Sequence, residues 1–275
     1  FSKASGDAIT LPQYLSNRFA SKSHTLSIIC AVVFLVCFTI YVASAFVAGS
    51  VELHLQGEGT ADNPYLINDI SDLEFFRDDV NAGNNYTGKY IKVTATEIDL
   101  NNEEWTPIAY MGKTFKGNFD GNNVTVKNLK ITKALTNSAE NNGIGFFGRT
   151  DSPATIENII IENVDITGSL YVGAIVGYGY TGKHVKGCTV KGDITIDAWW
   201  YAGVIGGNGY MNLIDNCHVI GNDGSYIKGN DGSYIGGIWG FRGEGDNKIT
   251  NCTVTNLDII GVDRVGGICG IGHYG

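Results

Sequence analysis

The chain has 275 residues, a net charge of −9, and 38 Gly against 4 Pro. So much Gly with so little Pro, at 43% apolar residues, argues against collagen or a disordered linker and for a turn-dense β protein. The acidic balance excludes a broadly basic nucleic-acid binder, which needs clustered Lys and Arg to displace counterions. Residues 1–50 carry Lys3, Arg18 and Lys22 against Asp7, a net +2, which leaves −11 for the remainder. Two unlike parts are joined.

Thr25 to Val51 holds no charged residue and exceeds the ~20 residues that cross a hydrocarbon core. The sequence predicts one transmembrane helix over 25–51, preceded by a loop over 1–24. A secretory signal peptide is a poor fit, because its apolar stretch is shorter and starts nearer the N-terminus. Arg18 and Lys22 precede the run and Glu52 comes directly after it. The positive-inside rule therefore predicts a cytoplasmic loop and places everything after Glu52 on the extracellular or periplasmic side. The lipid bilayer is the first expected partner.

The strings ITLPQYLSNRF and SKSHTLSIICAVVFLVCFTIYVASAFVAGS resemble the loop and adjoining helix of bacterial sodium:solute symporters. The resemblance covers less than a fifth of the chain. The broken helix and sodium-coordinating groups of that family have no counterpart here, and such transporters need many helices. Transport by this chain alone is therefore excluded, and a symporter-like fragment joined to another domain is expected.

Residues 52–113 read as a linker and the N-terminal cap of a solenoid. Within them, Ile70 to Val80 places Leu73, Phe75, Phe76 and Val80 after an Asp69 or Ser71 N-cap, the pattern of a short amphipathic helix.

From 114 to 275 the sequence repeats. GAIVG (173–177) recurs as GGIWG (236–240) and GGICG (266–270), with weaker copies ending at Gly148 and Gly206. A second string interleaves with it: VKNLKI (126–131), IENIII (156–161), VKGCTV (185–190), IDNCHV (214–219) and ITNCTV (249–254). Short β-branched runs between Gly and Asn carry no helical periodicity. The fold class predicted is all-β, a right-handed parallel β-helix with a short N-terminal capping helix, preceded by one transmembrane helix. Asn128, Asn158, Asn216 and Asn251 are placed at turns needing positive φ. Cys188, Cys217 and Cys252 alternate with Leu129 and Ile159, so they are read as an internal column of inert thiols. GNDGSYI at 221–227 recurs at 229–235, which reads as a duplicated turn bulging from one coil. The array breaks off within a coil at Gly275.

The region from about Gly57 resembles bacterial surface proteins with GLUG repeats, through GAIVG, GGIWG and GGICG and through the lead-in GEGTADNPYLINDISDLEFFRDDVNAG. The resemblance implies a surface-displayed module that binds or spaces. His54 and Glu58 make no HExxH, so the peptidase of some GLUG-bearing proteins has no counterpart here.

Two outward features are candidate sites. Asp165, Asp193, Asp223 and Asp258 share an offset in successive coils; stacked carboxylates need hydration or a counterion such as calcium, and solvated turn carboxylates are the alternative. Tyr171, Trp200 and Tyr234 fall at one repeat position, with Tyr178 and Phe241 nearby. Flat rings there suit a glycan or a cell-surface protein, and an edge-strengthening ladder is the alternative. No catalytic residues emerge, since Lys183, Lys186, Lys191 and Arg242 are scattered. The sequence therefore points to a membrane-anchored binding, adhesion or spacer module. A β-helical polysaccharide-degrading enzyme is the rival reading.

Overall fold

The computed structural model describes residues 32–33, 35–39, 55–132, 143–230, 233–243 and 248–272. It divides into two units, Phe1–His54 and Leu55–Gly275. In the first, the described residues are helical, and Val32, Val33, Leu35, Val36 and Phe38 are exposed. The loop over 1–24 and the rest of the expected span over 25–51 lie outside the described residues. Among the described residues no helix is long and apolar enough to cross a membrane.

The second unit is a parallel β-solenoid. Among the described residues its main sheet has thirteen strands. One path through it runs Tyr65–Ile67, Tyr90–Val93, Asn118–Ile131, Thr155–Gly168, His184–Lys186, Leu213–Asp215 and Lys248–Thr250. Each strand pairs in parallel with the next. Two five-stranded sheets complete the coils. An outer one holds Gly143–Ile144, Tyr171–Val172, Tyr201–Gly203, Tyr234–Gly236 and Val265–Gly266; an inner one holds Phe147–Thr150, Val176–Gly179, Gly206–Gly209, Trp239–Arg242 and Cys269–Gly272. Alternate side chains of four main-sheet strands point inward, so Phe119, Ile156, Val185 and Ile214 form one fully buried row of the core.

The expected helix is present as α1, Ile70–Ala82. The Asp69 carboxylate accepts hydrogen bonds from the Ser71 and Asp72 amides, which satisfies two of the orphan donors of the first turn. Leu73, Phe76 and Val80 are buried, and the Phe76 ring meets Phe115 edge-on at 5.7 Å and Phe119 at 5.8 Å. The boundary at 114 needs correction. Tyr65–Ile67, Tyr90–Val93 and Glu97–Asp99 already belong to the main sheet, so the stack begins before α1. These strands carry no glycine string, so matching of letters does not mark them.

Positive φ occurs at Asn158 (56°), Gly187 (64°), Asn216 (53°) and Asn251 (53°), one turn in four successive coils. Asn128 also has positive φ, at 59°, but it belongs to the next corner, where it aligns with Asn163. There the Asn163 amide donates to Asn128 Oδ1 at 3.2 Å, and Asn128 donates to Asp99 Oδ1 at 2.8 Å. Cys188 and Cys217 are fully buried and Cys252 half-buried. All three are free thiols. Contact with Cys188 pushes the Cys217 thiol up, and contact with Cys217 does the same to Cys252, so neither is a thiolate at neutral pH.

The duplicated word does not form one bulge. Gly221 aligns with Gly192 and Tyr226 with Thr195, so that corner is lengthened from two residues to four. The corner between Gly229 and Tyr234 is lengthened in the same way relative to that between Ala198 and Tyr201.

Candidate functional site

The closing glycine of each string explains how the outer rim is built. A Cβ at Gly177 would overlap the backbone of Gly143 and Ile144, and one at Gly207 would overlap Tyr171 and Val172. Gly240 stands in the same relation to Ala202, and Gly270 to Ile235. The outer and inner sheets therefore touch backbone to backbone, a distance no side chain permits. Residues flanking this contact are pushed together outside it, and there the chain places its tyrosines.

The register puts Tyr171, Tyr201 and Tyr234 in one column. Trp200 is not in it. The column's ring centroids lie 5.5 Å (Tyr171–Tyr201) and 4.9 Å (Tyr201–Tyr234) apart. Tyr178, from the adjoining inner-sheet strand, stacks on Tyr171 at 4.5 Å with the planes 17° apart. Phe241 meets Tyr201 and Tyr234 edge-on, at 5.5 and 5.4 Å. Arginines close both ends: Arg149 lies 5.5 Å from the Tyr178 ring and Arg264 lies 4.5 Å from Tyr234. The faces of these rings are thus occupied by one another and by guanidinium groups, as cation–π and stacking energetics favour. Burial pushes the Tyr178 hydroxyl up to about 12 and raises that of Tyr201, so these two hydroxyls are neutral at physiological pH. Asn208 takes the place between Tyr178 and Phe241. It is buried, and its Oδ1 has no partner among the described residues.

Exposed rings lie beside this ladder, and Arg149 also lies over one of them, 5.1 Å from the Tyr180 ring. Trp199 is 64% and Trp200 47% exposed, and Tyr180 and Tyr210 are exposed just beyond the ends of their inner-sheet strands. The Trp corner is tied to both neighbouring coils. The Trp199 and Trp200 amides each donate to Ser169 O at 3.2 Å, and Trp200 O accepts from the Tyr234 amide at 2.6 Å. The Trp200 ring lies 6.1 Å from that of Tyr201.

The four aspartates do not share one column. Asp165 and Asp258 stand in a row with Lys130, Thr195 and Tyr226. Asp193 falls where the register shifts between Lys191 and Ile194, and accepts from Asn222 Nδ2 at 2.7 Å. Asp223 accepts from Asn256 Nδ2 at 3.3 Å. Two of the four are therefore corner acceptors. Among the described residues, no three His, Cys, Asp or Glu side chains are grouped closely enough to hold a metal ion.

Comparison with known proteins treats the two units differently. Residues 3–56 match the sodium:solute symporter family. The sodium/proline symporter of Salmonella typhimurium is 54% identical over 44 residues, 16% of this chain and 9% of the symporter. Halomucin of Haloquadratum walsbyi is 34% identical over 125 residues, which is 44% of this chain and 1% of Halomucin. The chain thus spans a small fraction of the length of these relatives. A crystal structure titled as a putative immunoglobulin A1 protease from Bacteroides ovatus overlaps 78% of this chain and 74% of its own, with 18% identity and a TM-score of 0.46.

Proposed function

We propose that the chain is a membrane-anchored solenoid of right-handed, GLUG-type coils, displayed on the outer side of a bilayer, that binds glycan through its tryptophan corner. The apolar run 25–51 serves as anchor, with residues 1–24 in the cytoplasm. The module acts by binding rather than catalysis. The observation that carries this reading is the pair of exposed rings at Trp199 and Trp200, held on a corner bonded to the coils on either side. A rigid ring costs little conformational entropy to engage a ligand, and its flat face suits the C–H face of a sugar. The tyrosine ladder behind it presents edges and hydroxyls and stiffens the rim. A single corner gives weak affinity, and many copies on one surface give retention.

The test is a glycan array probed with full-length protein and with Trp199→Ala and Trp200→Ala. Each substitution should weaken retention about fivefold, from the loss of about 1 kcal/mol of ring contact, with thermal melting unchanged. Retention unaffected by both substitutions would reduce the solenoid to a spacer. The symporter match over residues 3–56 favours one further reading, confined to the first unit: a fragment of that family joined to the solenoid, inactive in transport by itself.

A further inference from the structure

The main sheet carries a groove of about 730 Å³ in its first coils. Its floor consists of two rails of outward side chains. Tyr90, Asn118, Thr155 and His184 align along one, and Lys92, Asp120 and Glu157 along the other. Between them Ile91, Phe119, Ile156 and Val185 point into the core and are fully buried. Successive members of a rail are one coil, ~4.8 Å, apart. Lys183 and Asp62 also border the groove, so both signs of charge face it.

The carboxylates are held. Asp120 Oδ1 accepts from the Asn122 amide at 2.8 Å and from Asn158 Nδ2 at 2.9 Å. Glu157 Oε1 is hydrogen-bonded to His184 Nε2 on the next coil. These bonds hold both carboxylates in place, and both residues line the groove. The strand Tyr90–Val93 is paired on both sides, with Tyr65–Ile67 and Asn118–Ile131, so an incoming peptide has no edge to extend. Mixed charge disfavours both a polyanion and a polycation. What remains complementary is an uncharged chain rich in hydroxyls, with an apolar face for the exposed Tyr90 ring.

We propose that this groove binds a neutral, extended oligosaccharide lying along the coil axis, each coil offering one polar side chain per rail to successive sugar units. This site shares no lining residue with the tryptophan corner and does not depend on it. Full-length protein in detergent micelles, titrated calorimetrically with neutral gluco-oligosaccharides from disaccharide to hexasaccharide, should show affinity rising to about the tetrasaccharide and then levelling. Acetylation footprinting with the bound hexasaccharide should find Lys92 and Lys183 shielded and the exposed Lys228 reactive. Tyr90→Ala and Glu157→Gln should each weaken binding about fivefold while melting as the parent does. Absence of binding by every neutral oligosaccharide, tighter binding of oligogalacturonate, or indifference to both substitutions overturns the proposal. Binding that leaves Lys92 and Lys183 reactive also overturns it, and that result alone leaves the tryptophan corner standing.

Discussion

An interior coil and the last described coil are written in nearly the same letters and hide them to different degrees. Cys188, Val190 and Ile196 have no solvent exposure, whereas Cys252, Val254 and Ile259, two coils further along the same columns, are half-buried. The sequence of a coil is therefore not what buries its core. An interior coil is covered by a neighbour on each side, and among the described residues the coil of Cys252 and Ile259 has its described neighbour on one side. Stability in such a stack is a property of interfaces between coils.

The sharpest way to break this comparison is to make the same cut in both places. Ile196→Ala should cost about 3 kcal/mol, as buried Ile truncations do, and Ile259→Ala about 1 kcal/mol, since less apolar surface leaves water there. Urea titration of the full chain followed by circular dichroism measures both, and equal losses would show that burial in the last coil is not the controlling variable. A smaller effect comes from adding an atom. A Cβ at Gly237 would overlap the Gly267 carbonyl, while at Gly267 a Cβ meets nothing. Gly237→Ala should therefore cost about 2 kcal/mol of overpacking, and Gly267→Ala should leave the melting temperature unchanged. The smallest effect concerns pH. Burial raises the Tyr178 hydroxyl to about 12 from the ordinary phenol value of 10.0, so its contribution is fully present below pH 10 and is lost as pH rises through 12. Melting temperatures should fall over that window, and Tyr178→Phe should flatten the fall.

Much of the fold is legible in the sequence because it rests on local backbone demands. A turn that needs positive φ accepts Gly or Asn, and that alternation exposes the coils at Asn158, Gly187, Asn216 and Asn251. The cap of α1 is legible for the same reason, since Asp69 answers to its nearest amides. The rim is harder, because GVIGG holds two glycines, 206 and 207, and aligning the strings on the first puts the phase out by one residue. Gly206 is a strand position left without a side chain, because the Trp239 indole of the next coil fills its space; Gly207 makes the close backbone contact. Alignment on Gly206 puts Trp200 in the column that Tyr201 occupies. A signal for the correct phase is present: Tyr171, Tyr201 and Tyr234 each stand two residues before the first glycine of their string. The groove leaves no mark in the repeat, because none of the strands that form its rails carries a glycine string.

The word GNDGSYI, present twice in succession, carries one further consequence. Its first copy delivers Tyr226 to the main sheet and its second delivers Tyr234 to the outer sheet, yet Ile227 and Ile235 are both fully buried. One short phrase is thus a competent bend at two different vertices of the same polygon. Vertices behave as interchangeable fittings, and straight edges as the standard lengths between them. A solenoid of this kind can lengthen its perimeter by copying a fitting, with the edges above and below still meeting in step.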